Sequence, residues 1–106
     1  MMSKEDRKIF VQFANQVCQR FPEARLWAFG SRARGNAEWD SDLDVFIVIE
    51  KVEGDADEWI RNLAWEIGFE NDLVITTVVA SQEQFKRGPL SESTLVAQIL
   101  REGVSV

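Results

Sequence analysis

The chain has 106 residues, a net charge of −6 from 12 basic and 18 acidic side chains, and no histidine. This length predicts a single domain over residues 1–106. The acidic balance argues against direct binding to a nucleic-acid backbone, which usually needs a basic face. The lack of histidine excludes a Ser-His-Asp triad and a histidine-bound zinc, and a lone cysteine, Cys18, excludes an intramolecular disulfide.

The sequence begins with charged residues, MMSKEDRKIF, and has no apolar signal core. No apolar run approaches the roughly 20 residues that cross a membrane as a helix. We therefore expect a cytoplasmic protein that has no contact with a membrane.

Apolar residues recur at helical spacing over residues 4–20, where Ile9, Phe13 and Val17 form one row. Pro22 follows this segment, and the residue before a proline disfavours helical backbone. The pattern predicts an opening helix, with Cys18 packed on its apolar side.

Two strands are predicted next. Residues 24–29 (ARLWAF) form a short apolar run that ends at a glycine, and residues 30–41 (GSRARGNAEWDS) are polar and predict a loop. Residues 42–50 (DLDVFIVIE) are rich in β-branched residues, and their almost continuous apolar run from Val45 to Ile49 is typical of a central strand covered on both faces.

The remaining elements alternate between helical and strand patterns. Residues 55–69 predict a helix, 71–80 (NDLVITTVVA) a strand, 81–89 a turn or helical fragment, and 91–103 a last helix that Gly103 ends. This order favours an α+β fold that is close to α/β, with a mixed sheet of three or four strands flanked by helices.

Gly30 and Ser31 follow the first predicted strand directly. A glycine at this position can adopt a backbone conformation that other residues avoid, and it lets a ligand approach the backbone closely. The Ser31 hydroxyl and amide could both donate to a phosphate oxygen. The pair is also common in ordinary turns, so these residues alone leave both interpretations open.

Asp42 and Asp44 stand at the start of the central strand. Because side chains alternate along a strand, the two carboxylates project to one face, about 7 Å apart. Such a pair is favourable when a cation or a donor network compensates its repulsion. Asp42 and Asp44 therefore form either a cation site or a solvated strand end that caps nearby amides.

Asp72 precedes the apolar part of the next predicted strand. If that strand neighbours residues 42–50, Asp72 joins the two aspartates at a lateral spacing of about 5 Å. Arg32 and Arg34 follow Ser31, and each is either a phosphate contact or a solvated loop charge.

The stretch GSRARGNAEWDSDLDVFIVIE, with ten residues between Ser31 and Asp42, resembles the signature of the polymerase-beta-like nucleotidyltransferase superfamily. It is particularly similar to the minimal nucleotidyltransferases (MNT), which are antitoxins paired with HEPN-domain ribonuclease toxins. The resemblance extends to NDLVI and to the closing QILREGV.

This resemblance implies a set of roles. Gly30 and Ser31 would hold the phosphates of ATP, while Asp42 and Asp44 bind two divalent ions, Mg²⁺ or Mn²⁺. Arg34 is not part of the resemblance, and its guanidinium chemistry alone makes it a candidate for a further phosphate contact. Asp72 would be the third acid of the catalytic and metal site. Two such ions hold the attacking and leaving oxygens of an in-line displacement at the α-phosphorus.

The sequence is compatible with three functions. The first is a protein adenylyltransferase that transfers AMP to a helical HEPN-type toxin, in a possible hetero-oligomer. A small-molecule acceptor such as an aminoglycoside is the second, although those enzymes usually carry a further helical domain. The third is a binding module that neutralises its partner by contact, with a vestigial site. Trp39 and Trp65 lie off the predicted core and could face a partner, whereas Trp59 is predicted to be in the core.

Overall fold

The computed structural model describes residues 1–105, which form five α-helices around four strands. The helices are α1 (Lys4–Arg20), α2 (Gly30–Arg34), α3 (Ala56–Glu70), α4 (Gln82–Lys86) and α5 (Thr94–Glu102). The strands are β1 (Arg25–Phe29), β2 (Leu43–Ile49), β3 (Ile75–Ser81) and β4 (Val104–Ser105). A short 3-10 helix, Pro89–Glu92, precedes α5.

Helix α1 has the bounds that its apolar period predicts. The Ser3 side chain accepts a hydrogen bond from the Asp6 amide at 3.0 Å and so caps the N-terminus. Phe10, Phe13 and Val17 are buried on its inner face. Each such side chain contributes about 1.5–3 kcal/mol when it leaves water.

The sheet has the strand order β3-β2-β1-β4. Strand β2 pairs antiparallel with β1 and parallel with β3, and β4 pairs antiparallel with β1 at the other edge. The predicted mixed sheet flanked by helices is therefore confirmed, with four strands. The burial of residues 45–49 also confirms that β2 is the central strand.

Helices cover both faces of β2. Val45 and Ile47 pack with apolar residues of α1 and α3, whereas Phe46 and Val48 pack with residues of α5. Because strand side chains alternate, Asp44 belongs to the same face as Phe46, the face that α5 covers.

The predicted loop over residues 30–41 begins as the short helix α2. Gly30 leaves β1 with a φ of 79°, and Gly35 ends the helical turn with a φ of 81°. These left-handed conformations suit glycine, which has no Cβ to clash with its own backbone.

Strand β3 begins at Ile75, so the predicted start of the 71–80 strand is wrong. After α3 ends, the Leu73 amide still donates to the Gly68 carbonyl at 3.0 Å, which holds the chain in a turn. Asp72 has a φ of 56° in this turn, a conformation that aspartate tolerates better than most residues. Asp72 therefore lies before the strand and outside it.

The C-terminal elements follow the prediction in part, and the short strand β4 is an element that the sequence pattern does not predict. The 81–89 fragment contains α4, which opens with a capping box between Ser81 and Gln84. The last helix begins at Thr94, later than predicted, with Ser93 as its cap. Within residues 1–105, no helix is long and apolar enough to cross a membrane.

Candidate active site

The turn from β1 into α2 lies directly against the start of β2. Phe29, the last residue of β1, pairs with Asp44 in the antiparallel register. A Cβ added to Gly30 would lie 2.5 Å from Asp44 Oδ2, so only a glycine lets the turn approach this carboxylate. The structure thus brings together Gly30 and Asp44, which belong to two separate motifs of the sequence.

Ser31 and Arg34 occupy α2. Ser31 is half-buried, and its carbonyl accepts from the amides of Gly35 and Asn36 at 3.0 and 3.1 Å. These bonds fix the backbone of the turn beside Gly30. Arg34 is exposed and contributes to the wall of a pocket that adjoins Gly30.

Arg32 has a different role from either alternative that its position suggested. Its guanidinium donates to both carboxylate oxygens of Asp6, at 3.0 and 3.2 Å, in an ion pair that is largely buried. It also donates to the carbonyls of Ser41 and Trp39. Arg32 is therefore neither a solvated charge nor free to contact a phosphate, and it holds the loop that leads to Asp42.

Asp44 is half-buried between two neighbours. On the side of β3, the Thr76 hydroxyl donates a hydrogen bond to Asp44 Oδ1, in agreement with the register that pairs these residues. On the side of β1, the same carboxylate faces Gly30. Both contacts orient the Asp44 side chain before any ligand binds.

Asp42 directly precedes β2 and is exposed. The Leu43 amide, between the two aspartates, donates to the Val74 carbonyl at 2.8 Å, so pairing with the β3 side begins here. Side-chain alternation places Asp42 on the same side of the chain as Asp44.

The register gives Thr76, rather than Asp72, the position beside Asp44. Asp72 lies in the turn before β3 and is exposed. Within residues 1–105, no three Asp, Glu or Cys side chains cluster closely enough to hold a metal ion together. The role of Asp72 as third acid stays a prediction. No signal in the sequence pointed to Thr76, because its position depends on the register between two strands.

The residues beside Gly30 do fit one magnesium ion. Asp42 and Asp44 provide oxygen donors, which a hard cation prefers, and Asp44 already has a fixed orientation. Magnesium commonly binds through one or two carboxylates and completes its shell with substrate phosphates and water. A third protein carboxylate is not required for this arrangement.

A glycine-serine turn in contact with an Asp-x-Asp strand, on a mixed sheet between helices, defines a nucleotidyltransferase type of domain. A family model described as "Nucleotidyltransferase domain" matches residues 11–104, and the chain belongs to this family. This places it among transferases of nucleotidyl groups.

A solved structure shares the fold. A proposed nucleotidyltransferase from Sulfolobus solfataricus is 20% identical, with a TM-score of 0.54 over 92% of this chain and 76% of that chain. At this identity the likeness concerns the fold alone. A search of curated proteins found no match.

Proposed function

We propose that this chain transfers AMP from magnesium-bound ATP to a hydroxyl group of a helical, HEPN-type toxin, and so acts as its antitoxin. The single observation that carries the transfer chemistry is the contact between the Gly30 turn and the Asp44 carboxylate. This contact puts a backbone suited to phosphate next to a carboxylate suited to a cation.

In the proposed reaction, the Ser31 hydroxyl and the amides of the turn bind the outer phosphates of ATP. Asp42 and Asp44 would hold magnesium, which, when bound, reduces the negative charge of the triphosphate. Arg34 is exposed at the end of α2 and would contact the triphosphate. We keep Asp72 as the proposed third acid, and it would have to move from its turn to join the pair.

The acceptor hydroxyl attacks the α-phosphorus, the bond to the β-phosphate oxygen breaks, and pyrophosphate leaves. The hydroxyl proton passes to a carboxylate of the site or to water. The chain's own contribution is positioning and electrostatic stabilisation, because the turn and the carboxylate are already in place.

A protein acceptor is supported by an exposed aromatic pair on α3. Trp65 and Phe69 are 68% and 72% exposed and stack on each other, with ring centroids 5.3 Å apart. Beside them a groove of about 400 Å³ runs past Val74 to Thr76, the residue that binds Asp44. Exposed aromatic residues of this kind are enriched where proteins bind each other.

The test is co-expression with the protein encoded next to this one, followed by intact-mass measurement of both chains with ATP and Mg²⁺. We expect the partner to gain mass in AMP-sized steps with the wild type and no gain with Asp44→Asn. Asp40→Asn is the matched control, because Asp40 is an exposed loop acid two residues before Asp42.

Other outcomes favour the alternatives. A stable complex with no mass gain under these conditions favours a contact-only antitoxin. Transfer to small hydroxyl compounds such as aminoglycosides, without a complex, favours a small-molecule acceptor. Full transfer by Asp44→Asn would contradict the proposed site itself.

A further inference from the structure

A pocket of about 230 Å³ opens between α2 and α5, directly beside Gly30. Phe29 and Gly30 form one end of it, and Leu95, Gln98 and Glu102 of α5 line the opposite wall. It lies on the face of the sheet that α5 covers, which is also the face of Asp44. The pocket is therefore continuous with the candidate phosphate turn.

The lining of this pocket combines apolar surface with three polar side chains, those of Arg34, Gln98 and Glu102. Phe29, Leu95 and Ile99 provide the apolar part. The Gln98 amide nitrogen donates to Glu102 Oε2 at 3.2 Å. Because a carboxylate only accepts, this bond orients the amide and leaves Gln98 Oε1 and the Glu102 carboxylate as acceptors for a ligand.

These features suit a flat, mostly apolar ring that carries a hydrogen-bond donor. Pockets for small ligands usually measure about 300–1,000 Å³ and are mainly apolar with a few orienting polar groups. The present volume is below that range, so it suits one heterocyclic ring system and not a whole nucleotide.

We propose that this pocket binds the base of the nucleoside triphosphate and recognises an exocyclic amino group through Gln98 and Glu102. The inference rests on the proposed function, since the triphosphate bound at Gly30 brings its own base within reach. The half-exposed Leu95 would cover one face of the ring, and the amino group would donate to the two acceptors. Gln98 and Glu102 would then determine nucleotide specificity.

The experiment compares ATP with purine riboside triphosphate, which differs from ATP only by the missing 6-amino group. Dissociation constants are measured by calorimetry with Mg²⁺ for the wild type, Gln98→Ala and Glu102→Ala. Two hydrogen bonds, one of them to a carboxylate, predict that the wild type binds ATP at least about tenfold more tightly than the analogue. Both variants should bind ATP more weakly and lose most of this preference.

The matched control is Gln12→Ala, an exposed glutamine on α1, which packs on the other face of the sheet. This variant should keep the wild-type preference. Thermal melts of all variants show whether each one is folded, and the ratio of the two dissociation constants does not depend on the folded fraction.

Equal affinity of the wild type for ATP and the analogue overturns this inference while the proposed transfer stands. The inference is likewise overturned if Gln98→Ala and Glu102→Ala both keep the wild-type preference for ATP over the analogue. If the wild type binds neither triphosphate, the proposed function fails as well.

Discussion

Gly30 and Asp44 are in contact across the antiparallel β1–β2 pair, and a methyl group on Gly30 would lie 2.5 Å from Asp44 Oδ2. The phosphate turn and the first carboxylate of the strand therefore form one unit with a spacing that the sheet sets. Any change at either residue should act on the other.

Gly30→Ala should abolish nucleotide binding and destabilise the fold by about 2 kcal/mol or more, through left-handed backbone strain and the clash with Asp44. Gly54→Ala is the control, since Gly54 also has a positive φ, 60°, but nothing within 4 Å of an added Cβ. Thermal melts of both variants separate the two causes. Equal losses of stability would mean that the contact with Asp44 adds nothing to the strain.

Thr76→Asp should build a carboxylate cluster beside Asp44. Without metal, the added charge repels Asp44 and removes its hydrogen bond, so we expect a loss of about 1–3 kcal/mol. Mg²⁺ or Mn²⁺ should then raise its Tm more than that of the wild type. In the control Thr77→Asp, the side chain alternates to the other face, and an equal metal response there would contradict the prediction.

Arg32→Ala should destabilise the protein by about 2 kcal/mol or more, because it leaves the largely buried Asp6 carboxylate without its partner. The 35–42 loop should also become more sensitive to limited proteolysis, since two of its carbonyls lose a donor. Arg61→Ala removes an exposed ion pair with Asp57 and should cost less than about 1 kcal/mol. Urea unfolding curves compare the two variants, and similar midpoint urea concentrations would contradict a structural role of Arg32.

Trp65→Ala should change stability by less than about 1 kcal/mol, because most of the side chain is in water. If the Trp65–Phe69 pair binds the partner, the same variant should weaken the complex by about tenfold or more. The control is Trp39→Ala, since Trp39 is 88% exposed but lies in the loop and not on α3. Surface plasmon resonance against the partner gives the affinities, and an unchanged affinity would place the interface elsewhere.

Cys18 should react slowly with iodoacetamide at neutral pH. Burial, with a smaller effect of Glu23, raises the pKa of the Cys18 thiol, so less of the reactive thiolate is present. The alkylation rate should keep increasing with pH above the ordinary thiol range of about 8–9, and it should rise on unfolding in guanidinium. Mass spectrometry follows the modification, and equal rates for the native and unfolded chains would contradict a shielded thiol.

The local elements and the separate residues of the site can be predicted from the sequence alone. The helical period of apolar residues predicts α1 and α3 closely, and Ser3 caps the start of α1, since these signals act within a few residues of chain. The apolar run of β2 likewise predicts a strand buried on both faces, because burial on two sides leaves no polar alternation. The Gly30–Ser31 pair and the two aspartates of residues 42–44 are visible in the same way.

How these residues come together depends on the packing of the whole chain. Strand register places Thr76 beside Asp44 and leaves Asp72 in a turn. Strands β2 and β3 are parallel and joined through α3, so no hairpin turn fixes their register in the sequence. The ion pair between Arg32 and Asp6 also joins distant segments, and it keeps the Arg32 guanidinium away from the phosphate turn. The packing of α5 against β1 then brings Gln98 beside Gly30, because the apolar pattern of a helix gives the face that it buries but not the distant strand on which that face packs.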